Sequence, residues 1–421
     1  MERALLINVA TTRQEKDEAE ESMQELAGLA KAAGAEVAQM IFQVRPRINP
    51  RYFVGEGKAA EIAGARGQLE ADLVIFDHNL SPTQQRNLED RIRVKVIDRT
   101  QIILDIFAQR ARTNEGKLQV ELAQLDYLLP RLRGRGPGLT QQGAGIGTRG
   151  PGEKKLEEDR RRIRDRITKI KRDIASLEKR RSSQRESRRK SPVPTVSLVG
   201  YTSAGKSTLF NHLTEERRYT SANLFATLDP LLRRVSYSDG VSFFLSDTVG
   251  FIKKLPVELV TSFRATLEEV READCICQVI DVTSPYSQSH LEAVESILKD
   301  IGAGEVPVLK VLNKIDLLPE AERELILRRN EDAGSRTIAL SAKTGQGVPN
   351  LLGKLRSILF RDHRLYYLQI PNDRPEVSDS LARLSLILKK RENSRCLEFK
   401  VMADPAAIVG FLPYLDQGDP W

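Results

Sequence analysis

One octapeptide limits the fold of this chain more than any other feature. Gly200-Tyr201-Thr202-Ser203-Ala204-Gly205-Lys206-Ser207 has the form GxxxxGKS and follows directly on the apolar run Thr195–Val199. Between a strand and a helix, such glycines let successive backbone N–H groups curl around phosphate oxygens. The lysine then reaches the β- and γ-phosphates, and the serine hydroxyl becomes a Mg²⁺ ligand. A loop of this kind sits at the end of a strand in a mostly parallel sheet. The expected class is therefore α/β, with a P-loop domain at its centre.

Three further motifs follow in the order that a guanine-nucleotide domain requires. Asp247-Thr248-Val249-Gly250 ends an apolar strand with DxxG. Its aspartate would reach Mg²⁺ through water, and its glycine N–H would meet the γ-phosphate. Asn313-Lys314-Ile315-Asp316 is NKxD after the apolar run Val308–Leu312. The Asp316 carboxylate can accept from guanine N1–H and N2–H₂, a donor pair that adenine lacks. Lys314 would lie over the base and Asn313 would tie its loop to the P-loop. Ser341-Ala342-Lys343 follows a strand and would offer a backbone N–H to guanine O6. The Mg²⁺-binding threonine of the first switch must fall between Ser207 and Asp247. Phe225-Ala226-Thr227-Leu228-Asp229 is the best stretch for it, with Thr220 as the competing position. Lys206, Thr227 and Gly250 are the residues expected to serve hydrolysis, and Ser207 and Thr227 those expected on the metal. After Gly250 stands Phe251, where Ras-like enzymes carry a water-positioning glutamine. A phenyl ring cannot orient water. Hydrolysis is then slow alone, or its polar group comes from another residue, a monovalent cation or a partner.

The rest of the chain organises around that domain. With 421 residues it has room for roughly three domains. The first 112 residues alternate strand-like and helix-like runs, which argues for a small parallel sheet covered by helices. The pattern predicts a helix capped by Thr100 and running to about Arg133. Residues 113–190 read as a helical hairpin around a glycine-rich loop at 134–152, which holds eight glycines among its 19 residues. Its second helix, from Glu153 to about Arg189, carries Ile163, Ile167, Ile170, Ile174 and Leu177 at spacings of three and four, a stripe that needs an apolar partner. The P-loop domain spans 191–361. A small C-terminal α/β domain spans 362–421, with a helix predicted over Asp379–Lys390, and its core is small enough that it should dock on the domain before it.

Charge and cysteine content remove several function classes. Formal net charge is +8, yet residues 131–190 alone carry +13 and the remainder −5. A charge run is commonly a solvated helix face, but this concentration also suits a polyanion-binding arm. No apolar run approaches the length of a membrane span, and the N-terminal run Ala4–Ala10 is too short for a secretory signal. The three cysteines, Cys275, Cys277 and Cys396, cannot build a disulfide framework and include no CxxC pair. A cytoplasmic, reducing compartment is expected. Cys275 and Cys277, two apart on a strand, read as core residues rather than a metal or redox pair.

Longer stretches identify a family. Arg47–Lys58, Ala111–Leu125 and Gly145–Glu153 resemble the N-terminal and middle regions of the HflX family of ribosome-associated GTPases. Gly200-Tyr201-Thr202, Leu224–Pro230, Asp247–Ile252 and Lys254-Leu255-Pro256 resemble its GTPase domain. The resemblance covers essentially the whole chain. It implies a Mg²⁺-dependent GTP hydrolase that binds GTP and GDP; a monomer is expected. It implies binding to the large ribosomal subunit and its rRNA, splitting or rescue of idle or stalled ribosomes under stress, and hydrolysis stimulated by the ribosome. It settles the first switch on Thr227 and lends the basic arm an rRNA partner, with Arg149, Lys154, Lys155, Arg160, Arg161 and Arg164 as candidate contacts. Three departures stand out. Ser203 replaces the family's usual asparagine, an amide that can help to hold potassium, so a K⁺ requirement is in question. Leu231-Leu232 stand where threonines usually follow Asp-Pro, and Lys154-Lys155 replace an uncharged pair. The alternative reading is a GTP-regulated RNA-binding assembly or scaffold factor with incidental turnover.

Overall fold

The computed structural model describes the chain apart from residues 13–15, 133–150, 190–191, 215–224, 226–230, 254–263, 330–334 and 417–421. For 16–17, 151–156, 180–189 and 264–267 only the backbone is described. The chain forms two compact units. One comprises Met1–Leu177 with Ser221–Asp229 and Ile252–Arg264; the other comprises Glu178–Thr220, Pro230–Phe251 and Ala265–Trp421.

The first unit is built on strands β1 (Glu2–Ala10), β2 (Ala35–Val44), β3 (Leu73–Phe76) and β4 (Lys95–Asp98), joined by helices α1 (Lys16–Ala32), α2 (Glu56–Leu69) and α3 (Pro82–Ile92). The sheet is parallel in the order β2-β1-β3-β4. Alternation on the strands sends Leu5, Ile7, Val9, Val74, Phe76 and Val96 to one face, where Ile62 of α2 and Leu88 of α3 pack on them. Ser81 starts α3 with a reciprocal capping box: Gln84 N–H donates to its hydroxyl, and its own N–H donates to Gln84 Oε1.

The single helix predicted from Thr100 to about Arg133 is two helices, α4 (Arg99–Arg110) and α5 (Asn114–Arg131). Asp98, not Thr100, caps the first, accepting from Gln101 N–H at 3.0 Å. Ala111 turns extended, and Thr113 caps the second by accepting from Gly116 N–H at 3.0 Å. A threonine hydroxyl that satisfies a new first turn competes with helix continuation, which explains the break. Helix α6 (Pro151–Arg189) follows. Of its predicted apolar stripe, Ile167 and Ile170 are buried, while Ile163, Ile174 and Leu177 are only half-buried. Arg166 forks onto both oxygens of Glu121 on α5, each at 2.7 Å. Deeper in this unit Arg99, 1% exposed, donates to Asp77 Oδ1 at 2.7 Å and pairs with Glu25. Asn8 and Ser22 donate to the other Asp77 oxygen at 2.9 and 2.6 Å. The same guanidinium donates to the Lys253 carbonyl at 3.2 Å, and Lys253 pairs with Glu21 at 2.7 Å. Breaking one partner of such a buried network leaves an uncompensated charge and costs ~3–5 kcal/mol.

The second unit carries a six-stranded sheet in the order β10-β9-β8-β5-β7-β6. Its strands are β5 (Thr195–Gly200), β6 (Leu231–Ser236), β7 (Ser242–Asp247), β8 (Cys275–Asp281), β9 (Val308–Asn313) and β10 (Thr337–Ala339). All pairings are parallel except β6 with β7. Helices α7 (Lys206–Thr214), α8 (Arg264–Arg271), α9 (Ser287–Asp300), α10 (Glu320–Arg329) and α11 (Val348–Leu359) connect them. Leu198, Leu245, Val279 and Val311 form the centre of the core with Leu209, Phe210, Leu351 and Leu355. Cys275 and Cys277 belong to this same cluster, fully buried and unbridged, as core residues do. Leu231-Leu232 begin the antiparallel edge strand β6.

The C-terminal residues form β11 (Arg364–Pro371), α12 (Pro375–Leu384), β12 (Leu386–Glu392), β13 (Cys396–Ala403) and the short α13 (Pro405–Ile408). The helix predicted over Asp379–Lys390 ends at Leu384. Ser385 is extended, its hydroxyl donating back to the Leu381 carbonyl at 2.7 Å, and the chain continues as β12, antiparallel to β13. Leu386, Val241 and Phe360 are buried together with Met402, Leu388 and Val193 against them, so this small sheet does dock on the P-loop domain. Among the described residues no helix is long and apolar enough to cross a membrane.

Candidate nucleotide site

The four motifs, distant in the chain, emerge from the C-terminal ends of β5, β7, β9 and β10, parallel strands of one sheet. β5 runs into the P-loop, and α7 starts at Lys206. Gly205 has φ +96°, and a Cβ there would meet Asn313 Nδ2 at 2.2 Å, so only glycine fits between the P-loop and the NKxD loop. Lys206 is 6% exposed, and its amine donates to the carbonyls of Gly200 and Tyr201 at 3.0 and 2.9 Å. Burial drives its pKa down to about 8, against the pull of nearby Asp247. An amine so placed would gain a strong partner from a phosphate oxygen.

Ser207 donates to Asp247 Oδ2 at 2.9 Å. Two hard oxygen donors side by side beside a phosphate loop fit Mg²⁺, which takes few protein ligands and completes its shell with phosphate and water. Thr248 donates to the Leu198 carbonyl at 2.6 Å, fixing the start of DxxG on β5. Beyond Gly250, Phe251 N–H donates to the Gly200 carbonyl at 3.1 Å and the Phe251 carbonyl accepts from Thr202 N–H at 2.8 Å. The segment is thus laced to the P-loop, and the Phe251 side chain is 2% exposed.

Asn313, also 2% exposed, joins three loops. Its Nδ2 donates to the Ala204 carbonyl of the P-loop at 2.8 Å, and its Oδ1 accepts from Ala342 N–H at 2.9 Å. The sequence expected only the first of these ties. Lys314 adopts a left-handed conformation, φ 70°, and its amine meets Asp281 Oδ2 at 2.5 Å. Asp281 is held by Thr283 N–H and Oγ1 at 3.0 and 2.6 Å. Asp316 lies in the one-turn helix Ile315–Leu317 that follows. The Ser341 hydroxyl accepts from Thr344 N–H at 3.1 Å, closing the loop that presents Ala342 and Lys343.

Sequence reasoning missed three supporting groups. Asp281 ends β8 and had a signal, an acid closing an apolar strand. The Tyr201 ring stacks on His290 of α9 with centroids 3.7 Å apart, and His212 of α7 lies against Gly345; neither pairing leaves a mark at any fixed spacing.

Of the predicted first-switch residues, Phe225 is described: it is buried in the first unit with its ring edge-on to Phe107 at 4.6 Å. Ala226, Thr227, Leu228 and Asp229, with the competing Thr220, lie outside the described residues. So does Arg149, and for Lys154 and Lys155 only the helical backbone is described. Arg160 is half-buried, its Nε shielded and without a hydrogen-bond partner among the described residues, and Arg161 and Arg164 are exposed, Arg164 at 3.7 Å from Glu157. Among the described residues no cluster of three or more His, Cys, Asp or Glu side chains could hold a metal, which leaves the hydroxyl and carboxylate donors of the P-loop domain.

The chain is similar to known proteins. Three family models match: GTP-binding GTPase N-terminal at 20–108, GTP-binding GTPase Middle Region at 110–188, and 50S ribosome-binding GTPase at 195–314. GTPase HflX of Escherichia coli strain K12 is 48% identical over 92% of this chain and 90% of its own length. GTPase HflX of Caldanaerobacter subterraneus subsp. tengcongensis is 44% identical over 95% of this chain and 90% of its own. A crystal structure of a GTP-binding protein from the archaeon Sulfolobus solfataricus, in complex with GDP, is similar at 24% identity and TM-score 0.46 over 86% of this chain and 99% of that one. With four guanine-nucleotide motifs converging on one sheet edge and full-length relatives at this identity, the chain belongs to the HflX family of GTPases, enzymes that hydrolyse GTP.

Proposed function

We propose that this GTPase binds the large ribosomal subunit, splits or rescues idle or stalled ribosomes, and hydrolyses GTP faster when bound there. The observation that carries the reading is the basic arm. A +13 excess lies within residues 131–190 while the rest of the chain is acidic. On α6 the described residues Arg161, Arg162, Arg164, Lys169, Lys171 and Arg172 are exposed, and Arg166 anchors the helix to α5 through Glu121. Cations on an anchored helix lose little entropy on meeting phosphates, and they release counterions when they do. The 50S ribosome-binding description of the matching family model supports the same partner.

In this reading residues 1–112 form an N-terminal α/β domain, 113–190 an RNA-binding arm, 191–361 the GTPase domain and 362–421 a C-terminal domain. The protein acts as a cytoplasmic monomer. Gly200–Ser207 cradle the phosphates of GTP; Ser207 and Thr227 hold Mg²⁺; Lys206, Thr227 and Gly250 meet the γ-phosphate; Asn313, Lys314, Asp316 and the Ser341–Lys343 loop hold guanine. Potassium is the second candidate cation, put in question by Ser203, which lacks the amide oxygen that can help to hold it. Arg149, Lys154, Lys155, Arg160, Arg161 and Arg164 are the proposed rRNA contacts.

Sedimentation of purified whole ribosomes with the protein and a non-hydrolysable GTP analogue tests this. Conversion of whole ribosomes to subunits supports splitting. Intact ribosomes, with binding confined to free large subunits, would favour an assembly or scaffold factor instead.

A further inference from the structure

We propose that Thr202 is the water-positioning residue of GTP hydrolysis in this chain, supplying from the P-loop the polar group that Phe251 cannot. Phe251 is doubly excluded. Its side chain is hydrocarbon and buried, and both of its backbone hydrogen-bonding groups are spent on Gly200 and Thr202. The same two hydrogen bonds place Thr202 directly beside the DxxG turn. A Cβ built on Gly250 would meet Thr202 Cγ2 at 3.0 Å and Lys206 Nζ at 3.1 Å. The Thr202 methyl and the P-loop lysine amine therefore both lie against the DxxG glycine, so the Thr202 side chain borders the place where a γ-phosphate sits in this fold.

Two neighbouring hydroxyls are committed elsewhere. Ser207 donates to Asp247, and Thr248 donates to the Leu198 carbonyl. The Thr202 hydroxyl makes no hydrogen bond to any described residue. It has one proton to donate and two lone pairs to accept with.

Its task is orientation. A threonine hydroxyl is far too weak a base to take a proton from water. Thr202 Oγ1 accepts a hydrogen bond from the attacking water and aims its lone pair at the γ-phosphorus. The new bond forms between water oxygen and phosphorus. The bond from phosphorus to the β–γ bridging oxygen breaks, and its electron pair leaves with GDP. The water proton passes to a γ-phosphate oxygen, so the products are GDP and phosphate. Fixing the nucleophile in line lowers the barrier without any change in nucleotide binding.

The test uses the full-length chain without ribosomes. Single-turnover GTP hydrolysis is measured beside the affinity for a fluorescent GTP analogue, in Thr202→Val and Thr202→Ser. Valine keeps the shape and loses the hydroxyl. The rate should fall by about tenfold or more, with affinity within about twofold, while serine keeps the rate within about threefold. A valine variant that hydrolyses GTP at the original rate overturns the proposal. So does a parallel loss of affinity, in valine and in Thr202→Ala alike, which would make the hydroxyl a binding group. A rate that holds in Thr202→Val and falls in Ser203→Ala would move the role to Ser203 and overturn it as well.

Discussion

Replacing Asn313 with alanine should weaken guanine-nucleotide binding by about thirtyfold or more. The side chain makes two buried hydrogen bonds, to the Ala204 carbonyl at 2.8 Å and from Ala342 N–H at 2.9 Å. Truncation leaves a buried acceptor on the P-loop and a buried donor on the base-binding loop, each costing ~1–3 kcal/mol when unpaired. Water can enter the space left behind, so the lower end applies, ~2 kcal/mol for the pair, and tenfold in affinity corresponds to ~1.4 kcal/mol. The loss appears in binding because the two orphaned groups lie on the loops that close on the ligand. Asn313→Asp separates this account from simple loss of volume. A carboxylate still accepts from Ala342 N–H, but it faces the Ala204 carbonyl as acceptor against acceptor. Aspartate should therefore bind nucleotide no better than alanine despite its near-identical shape. Titration with a fluorescent GDP analogue, beside urea unfolding, measures both quantities. Affinity within threefold of the parent in Asn313→Ala, with an unchanged unfolding midpoint, would refute the reasoning.

The lowered Lys206 pKa predicts a pH dependence. The folded group loses its proton near pH 8 and the unfolded one near 10.5, so over that window the unfolded chain binds more protons and stability without nucleotide should rise with pH, by ~3 kcal/mol at most; urea melts at pH 7.5 and 9.5 should differ less in Lys206→Met than in the parent. Asp316→Asn should shift preference from guanine toward xanthine, read by competition of XTP against GTP, and equal binding of ATP and GTP by the parent would sink the base assignment. Purified ribosomes should raise the GTPase rate at least tenfold, ~1.4 kcal/mol off the barrier, and a rate unmoved across a range of salt would count against the proposed partner. Changing Arg160, Arg161 and Arg164 to Glu should weaken ribosome binding by orders of magnitude, steeply salt-dependent in the parent, and leave GTP affinity nearly intact; equal losses in both would mean damage to the fold.

Much of this was legible where a residue's chemistry is enforced locally. The P-loop and the strand–helix alternation of the first hundred residues follow from glycine conformation and burial period, both of which act within a few residues. The C-terminal strand β12 was missed because Leu386-Ile387-Leu388 carries no period that separates strand from helix over so short a run. Its pairing with β13, which decides the matter, is a tertiary fact. The break between α4 and α5 turned on Thr113, whose hydroxyl caps a new first turn just after Ala111 turns extended, while the cap of α4 fell to Asp98 rather than to Thr100 inside the helix. The cluster of Arg99, Asp77 and Glu25 was invisible because its members are 22 and 74 residues from the arginine.

The site itself shows why the motif order, rather than any single motif, carried the reading. β5, β7, β9 and β10 are parallel, so each delivers its following loop to the same edge of the sheet. The order β10-β9-β8-β5-β7 separates the phosphate loops on β5 and β7 from the base loops on β9 and β10 by the one strand β8. A nucleotide has the same division, phosphates at one end and base at the other. β8 contributes Asp281, which meets Lys314, and its Val279 carbonyl would lie 2.3 Å from a Cβ on Gly200. The spacer strand therefore touches both ends of the site, holding the base-side lysine with one residue and forbidding a side chain at the first P-loop glycine with another. Asn313 completes the bridge across it. A substitution on β8 that shifts its backbone should disturb phosphate and base recognition together, although no motif lies on that strand.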